Sequence, residues 1–68
     1  MTPREQVERE LAEELGWWIE VRANDGTPCY YTVEHGELGP SPPETATLWY
    51  LLVTDRLKMK ELQTLDAR

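Results

Sequence analysis

Gly16 to Glu34 is the stretch that most restricts what this chain can fold into, because alternation, turn chemistry and aromatic content agree there. Two short β-branched and aromatic runs, Trp17-Trp18-Ile19-Glu20-Val21 and Cys29-Tyr30-Tyr31-Thr32-Val33, flank Asn24-Asp25-Gly26. This pattern predicts an antiparallel β-hairpin. With Asn24, Asp25 and Gly26 as a three-residue loop, Trp17 opposes Val33, Ile19 opposes Tyr31 and Val21 opposes Cys29. One face is then wholly apolar, and the other carries Trp18, Glu20, Arg22, Tyr30, Thr32 and Glu34. A two-residue Asp25-Gly26 loop shifts the register and mixes the faces, so the longer loop is expected, with Gly26 at a left-handed position.

The chain has 68 residues, enough for one domain that buries roughly 60% of the surface its unfolded form exposes. Stability is therefore marginal, and help from a partner or a second copy is plausible. A single cysteine excludes an internal disulfide framework, and one Cys with one His cannot assemble a structural zinc site. No basic leader followed by an apolar run opens the chain, and no run approaches the ~18 apolar residues of a membrane span. A cytoplasmic protein with no membrane partner is expected.

Charge is unevenly placed. Up to Glu44 there are ten acidic and three basic residues, whereas Thr45 onward has three acidic and four basic, within a net charge of −6. This balance argues against direct nucleic-acid binding, which needs Lys and Arg on phosphates, and it favours a protein partner with a basic surface. Solubility alone also accounts for a net charge of this size.

Around the hairpin the chain reads as cover. Thr2-Pro3-Arg4-Glu5 is a helix start, with Thr2 as cap, Pro3 at the first helical position and Glu5 reaching back to the Thr2 amide. The helix runs to about Leu15, with Val7, Leu11, Leu15 and Ala12 as an apolar stripe. Gly16 closes it in a left-handed cap, from which Trp17 packs back on Leu11 or Ala12. The outer side carries Glu8, Glu10, Glu13 and Glu14, tempered by Glu5–Arg9 and Arg9–Glu13 pairs. Glu13 and Glu14 oppose the helix dipole, and unfavourable placement of this kind is where function is worth seeking.

After the hairpin, His35 and Gly36 form a second tight turn that sets Leu38 opposite Val33 in a stub third strand. Gly39-Pro40-Ser41-Pro42-Pro43 is a corner. Ser41 and Glu44 repeat the capping signal for a second helix from about Pro42 to Val53. Leu48 to Val53 cover nearly its whole circumference, so something beyond the sheet must cover the remainder: the first helix, the C-terminal segment or another protomer. Trp49, Tyr50 and Val53 are the candidate residues for a homodimer. Thr54 and Asp55 mark either a break or a polar step in one long helix through Leu57, Met59, Leu62 and Leu65. The last few residues are expected to fray.

Groups for catalysis do not converge. Cys29 falls on the apolar face and His35 at a turn tip, too far apart for a nucleophile and base, and each glycine has a turn or cap role rather than a phosphate-cradling one. A non-enzyme without cofactor or metal is expected. What remains is a binding surface: the glutamates Glu8, Glu10, Glu13 and Glu14, together with Trp18, Glu20 and Tyr30 on the outward hairpin face, since exposed aromatics among charges make interface hot spots. Alternatively the second helix wraps over Trp18 and Tyr30 as a second small core.

The order of signals resembles the phage ABA sandwich family. It runs from ELAEELGW through WWIEV and CYYTV to the corner GPSPP and a closing helix ETATLWYLLV, spanning Glu10 to Leu57. The family's small-residue start to the last helix is partly matched by Thr45 and Ala46. The resemblance implies a bacteriophage or prophage origin and transfers no catalytic residue. In size and charge the chain is also similar to small acidic phage inhibitors of the anti-CRISPR kind. The sequence therefore predicts one α+β domain over residues 1–68, in the order helix, antiparallel hairpin with a short third strand, then a helix or helix pair packed on the sheet. Its expected function is an acidic protein-binding inhibitor that occupies a basic, nucleic-acid-binding site on a host defence protein such as a CRISPR complex. The alternative is a homo-oligomeric phage accessory protein assembled through the second helix.

Overall fold

The computed structural model describes residues 2–66. Helix α1, Pro3–Leu15, starts where its sequence dictates: the Thr2 hydroxyl accepts the Glu5 amide hydrogen at 3.1 Å, and Pro3 occupies the first turn. The Glu5 carboxylate accepts the Thr2 hydroxyl rather than the Thr2 amide. Gly16, at φ 82°, takes the left-handed cap and donates to the Ala12 carbonyl at 2.8 Å. Val7 and Leu11 are buried while Leu15 is exposed, so the apolar stripe is shorter than expected. Arg4 pairs with Glu8 one turn on; among the described residues, the Glu5–Arg9 and Arg9–Glu13 pairs are not formed.

Strands β1, Trp17–Val21, β2, Pro28–Thr32, and β3, Gly36–Pro40, make one antiparallel sheet in the order β1-β2-β3. The hairpin exists, but its register differs from the expected one by a residue. Trp17 faces Thr32, Ile19 faces Tyr30 and Glu20 faces Cys29. The connection is a four-residue loop from Ala23 to Gly26, closed by the Arg22 amide donating to the Thr27 carbonyl and the Gly26 amide to the Arg22 carbonyl, each at 2.9 Å. Gly26 is left-handed as expected, at φ 73°. The Asp25 carboxylate accepts the Thr27 amide at 3.0 Å, and this bond holds the Asp25 carboxyl below its usual pKa.

Aromatic contact accounts for the register. It lets Trp17 stack on Tyr30 at 5.7 Å and Trp18 on Tyr31 at 5.4 Å, and each such pair is worth about 0.5–1.5 kcal/mol beyond the area it buries. Sliding β2 by one residue exchanges its faces. Tyr30 turns toward the helices, Tyr31 turns outward, and Val21 and Val33 are left exposed. Cys29 is buried as expected, yet on the Glu20 side and apart from the core cluster.

The third strand is fuller than a stub. Thr32 pairs with Gly36 across a loop of Val33, Glu34 and His35, and the Thr32 hydroxyl accepts the His35 amide. Gly36 therefore closes the strand pair instead of sitting in the loop. The register shifts between Tyr30 and Tyr31, which leaves Leu38 without a partner as a bulge. Leu38 is exposed and does not meet Val33.

Helix α2, Pro43–Asp66, is one continuous helix of 24 residues, about 36 Å long. Thr54 does not break it, because its hydroxyl donates back to the Tyr50 carbonyl at 2.8 Å. Ser41 donates to the Pro42 carbonyl rather than capping the helix, while its amide ties the corner to the Pro28 carbonyl. Part of the terminus expected to fray lies outside the described residues. The core joins Val7 and Leu11 from α1, Ile19 from β1 and Ala46, Trp49 and Val53 from α2. The Arg4 guanidinium lies over the Tyr50 ring and Glu14 pairs with Arg56, so α1 packs beside α2. The fold is α+β, in the expected order.

Trp49 has no exposed surface and packs on Trp17 at 5.6 Å. Truncating a buried tryptophan costs about 3–5 kcal/mol, and a chain of this length holds only ~3–10 kcal/mol in total. Trp49→Ala is expected to abolish the cooperative urea transition followed by circular dichroism, whereas Trp49→Phe keeps it with a lower midpoint.

Candidate protein-binding site

The N-terminal turns of α1 present Glu5, Glu8, Arg9 and Ala12 on one face, since positions three, four and seven apart align on a helix. That face looks across the edge of β1 at Trp18 and Glu20. The six side chains line an open groove of about 310 Å³ with an aromatic wall and three carboxylates. The Trp18 indole N–H donates to Glu20 Oε1 at 3.1 Å, and its ring lies nearly parallel to Tyr31, 9° between planes. Two contacts thus fix the orientation of Trp18.

The stack continues into a polar row on the outer sheet face. The Tyr31 hydroxyl donates to Glu37 Oε1 at 3.2 Å, and Arg22 reaches the same carboxylate at 4.0 Å. Partial burial in the stack, then the Glu37 carboxylate and more weakly Glu20, hold the Tyr31 phenol above its ordinary pKa.

The fold gathers some of the residues singled out from sequence and spends others elsewhere. Glu8, Trp18 and Glu20 line the groove. Glu10 and Glu14 do not: Glu14 is held by Arg56 at 2.7 Å and Glu10 by Lys60, so both tie α1 to α2. These partners explain how Glu14 is accommodated at the negative end of the helix dipole, and Glu14 in turn raises the Arg56 pKa. Glu13 is exposed on α1 outside the groove. Tyr30, expected on the outward face, faces inward against Trp17. Of the candidates for self-association, Trp49 and Val53 have no exposed surface, and half-buried Tyr50 lies beneath the Arg4 guanidinium. Trp49 and Val53 therefore offer no contact to another protomer.

Sequence reasoning missed Glu5, Arg9, Tyr31 and Glu37. Glu5 was absorbed by its capping role, although the Glu5-Glu8-Arg9-Ala12 spacing already marks a helical face. Tyr31 and Glu37 follow only once the strand registers are known.

Among the described residues no three His, Cys, Asp or Glu side chains are grouped to hold a metal ion, and no helix is long and apolar enough to cross a membrane. No protein-family model matches the chain, and comparisons with curated proteins and with solved structures return no match. An aromatic face bordered by carboxylates suits a cation, which gains both from the ring quadrupole and from charge-assisted hydrogen bonds.

Because the folded chain favours the protonated Tyr31, its contribution to stability is complete below the ordinary tyrosine pKa and is lost as pH rises through the Tyr31 value. Spectrophotometric titration is expected to find the Tyr31 phenol ionising above the ordinary tyrosine value, to move it toward that value in Glu37→Gln, and to lose it in Tyr31→Phe.

Proposed function

We propose that this protein is a non-enzymatic binding module that seats a basic side chain of a partner protein in the Glu5, Glu8, Trp18 and Glu20 groove. The observation that carries the reading is a fixed indole beside three carboxylates, on a chain whose net charge is −6. A lysine or arginine laid against Trp18 exchanges water for a ring face and two or more carboxylate oxygens. The acidic first 44 residues steer such a partner from a distance. Glu10 and Glu14 are engaged by α2, and in the groove an incoming cation competes with Arg4 for the Glu8 carboxylate.

A protein surface rich in lysine and arginine is commonly one that binds phosphates. The module competes for such a surface and acts as an inhibitor of nucleic-acid binding. The likeness to the phage ABA sandwich and to acidic phage inhibitors extends this reading to a partner among bacterial defence proteins, CRISPR complexes included, met in the host cytoplasm.

Titration with an arginine-rich peptide, followed by amide and indole NMR, tests the groove directly. Shifts are expected at the Trp18 indole and at Glu8 and Glu20, weakening with salt. Trp18→Ala is expected to weaken binding roughly 30-fold, the scale of a hot-spot side chain. A peptide that shifts the Glu13 side of α1 instead, or that binds Trp18→Ala equally well, overturns the reading.

A further inference from the structure

The side of α2 turned away from α1 and the sheet is apolar and uncovered. Leu48 is 49% exposed, Leu51 58%, Met59 57% and Leu62 60%, while the buried Trp49 and Val53 and the paired Arg56 lie on the opposite side of the helix. Leu48, Leu51, Asp55, Lys58 and Leu62 follow one another at spacings of three, four, three and four. This is the spacing of a coiled-coil seam, along which every residue faces one neighbouring helix. Met59 widens it along one flank. The seam covers about 21 Å of helix.

Its charges identify the occupant. Asp55 and Lys58 are exposed at the middle of the apolar row, and among the described residues neither has an ion-pair partner. The order Leu-Asp-Lys-Leu at 51, 55, 58 and 62 is its own complement when reversed. Against a second α2 running antiparallel, Leu51 meets Leu62 of the second copy and Asp55 meets Lys58, each contact occurring twice about a two-fold axis. A parallel arrangement sets Asp55 against Asp55 and Lys58 against Lys58. A partner of another sequence has no reason to match this pattern, whereas a second copy matches it by construction. We infer that the protein forms an antiparallel homodimer through the Leu48 to Leu62 seam of α2, with two reciprocal Asp55–Lys58 pairs setting its register.

Sedimentation equilibrium of the full chain in reductant, at concentrations up to about 1 mM, is expected to show a monomer–dimer equilibrium. Leu51→Glu is expected to raise the dissociation constant at least tenfold. Asp55→Lys and Lys58→Asp, each placing like charges together, are expected to weaken the dimer, and the double variant D55K/K58D to recover it by exchanging the signs. Circular dichroism of each variant confirms that the exposed substitutions leave the fold intact. A wild-type chain that stays monomeric throughout, a dimer indifferent to Leu51→Glu, or a double variant no stronger than the single ones overturns the proposal.

Discussion

Enclosure of the Trp49 indole is the constraint on which the remaining structure depends. It brings α2 against Trp17, and Trp17 in turn stacks on Tyr30, so a single row of rings runs from the long helix through β1 into β2. Val7, Leu11, Ile19, Ala46 and Val53 complete the buried cluster around it. In so short a chain few other large side chains are fully enclosed, and the helix pair and the sheet share this one anchor. The hairpin register is tied to it, because sliding β2 by one residue would take Tyr30 out of the row.

Local signals in the sequence were legible because their partners lie within a few residues. Thr2, Pro3 and Glu5 act on the first turn of α1, Gly16 acts on the last, and Gly26 meets the backbone demand of its own loop. Long-range choices were not legible. Whether Cys29 and Tyr31 or Tyr30 faces the helices depends on rings contributed by β1 and α2. Glu10 and Glu14 find their cations 50 and 42 residues away, and nothing in the spacing along α1 announces that. The continuity of α2 turned on whether the Thr54 hydroxyl competes with the helix or bonds back into it. For the candidate site, Trp18, Glu20 and Glu8 could be read as exposed and chemically suitable, but the pocket they share exists only because α1 lies along the edge of β1.

The acidic face of α1 is divided between two tasks. Its later carboxylates, Glu10 and Glu14, bind Arg56 and Lys60 across to α2, while its earlier ones, Glu5 and Glu8, open on the groove. The acidic charge of the first 44 residues is thus partly structural cement and partly surface field. Two basic residues of the second half, Arg56 and Lys60, answer the glutamates of α1 from α2.

Cys29 gives the central strand an internal clock. The thiol lies in β2 with no exposed surface and its sulfur beside the Thr27 carbonyl, flanked by β1 on one side and β3 on the other. A thiol reagent reaches it only when that part of the sheet opens, so in the regime where closing outruns labelling, the alkylation rate measures the free energy of opening. The lone cysteine, a free and buried thiol, records how often the hairpin comes apart.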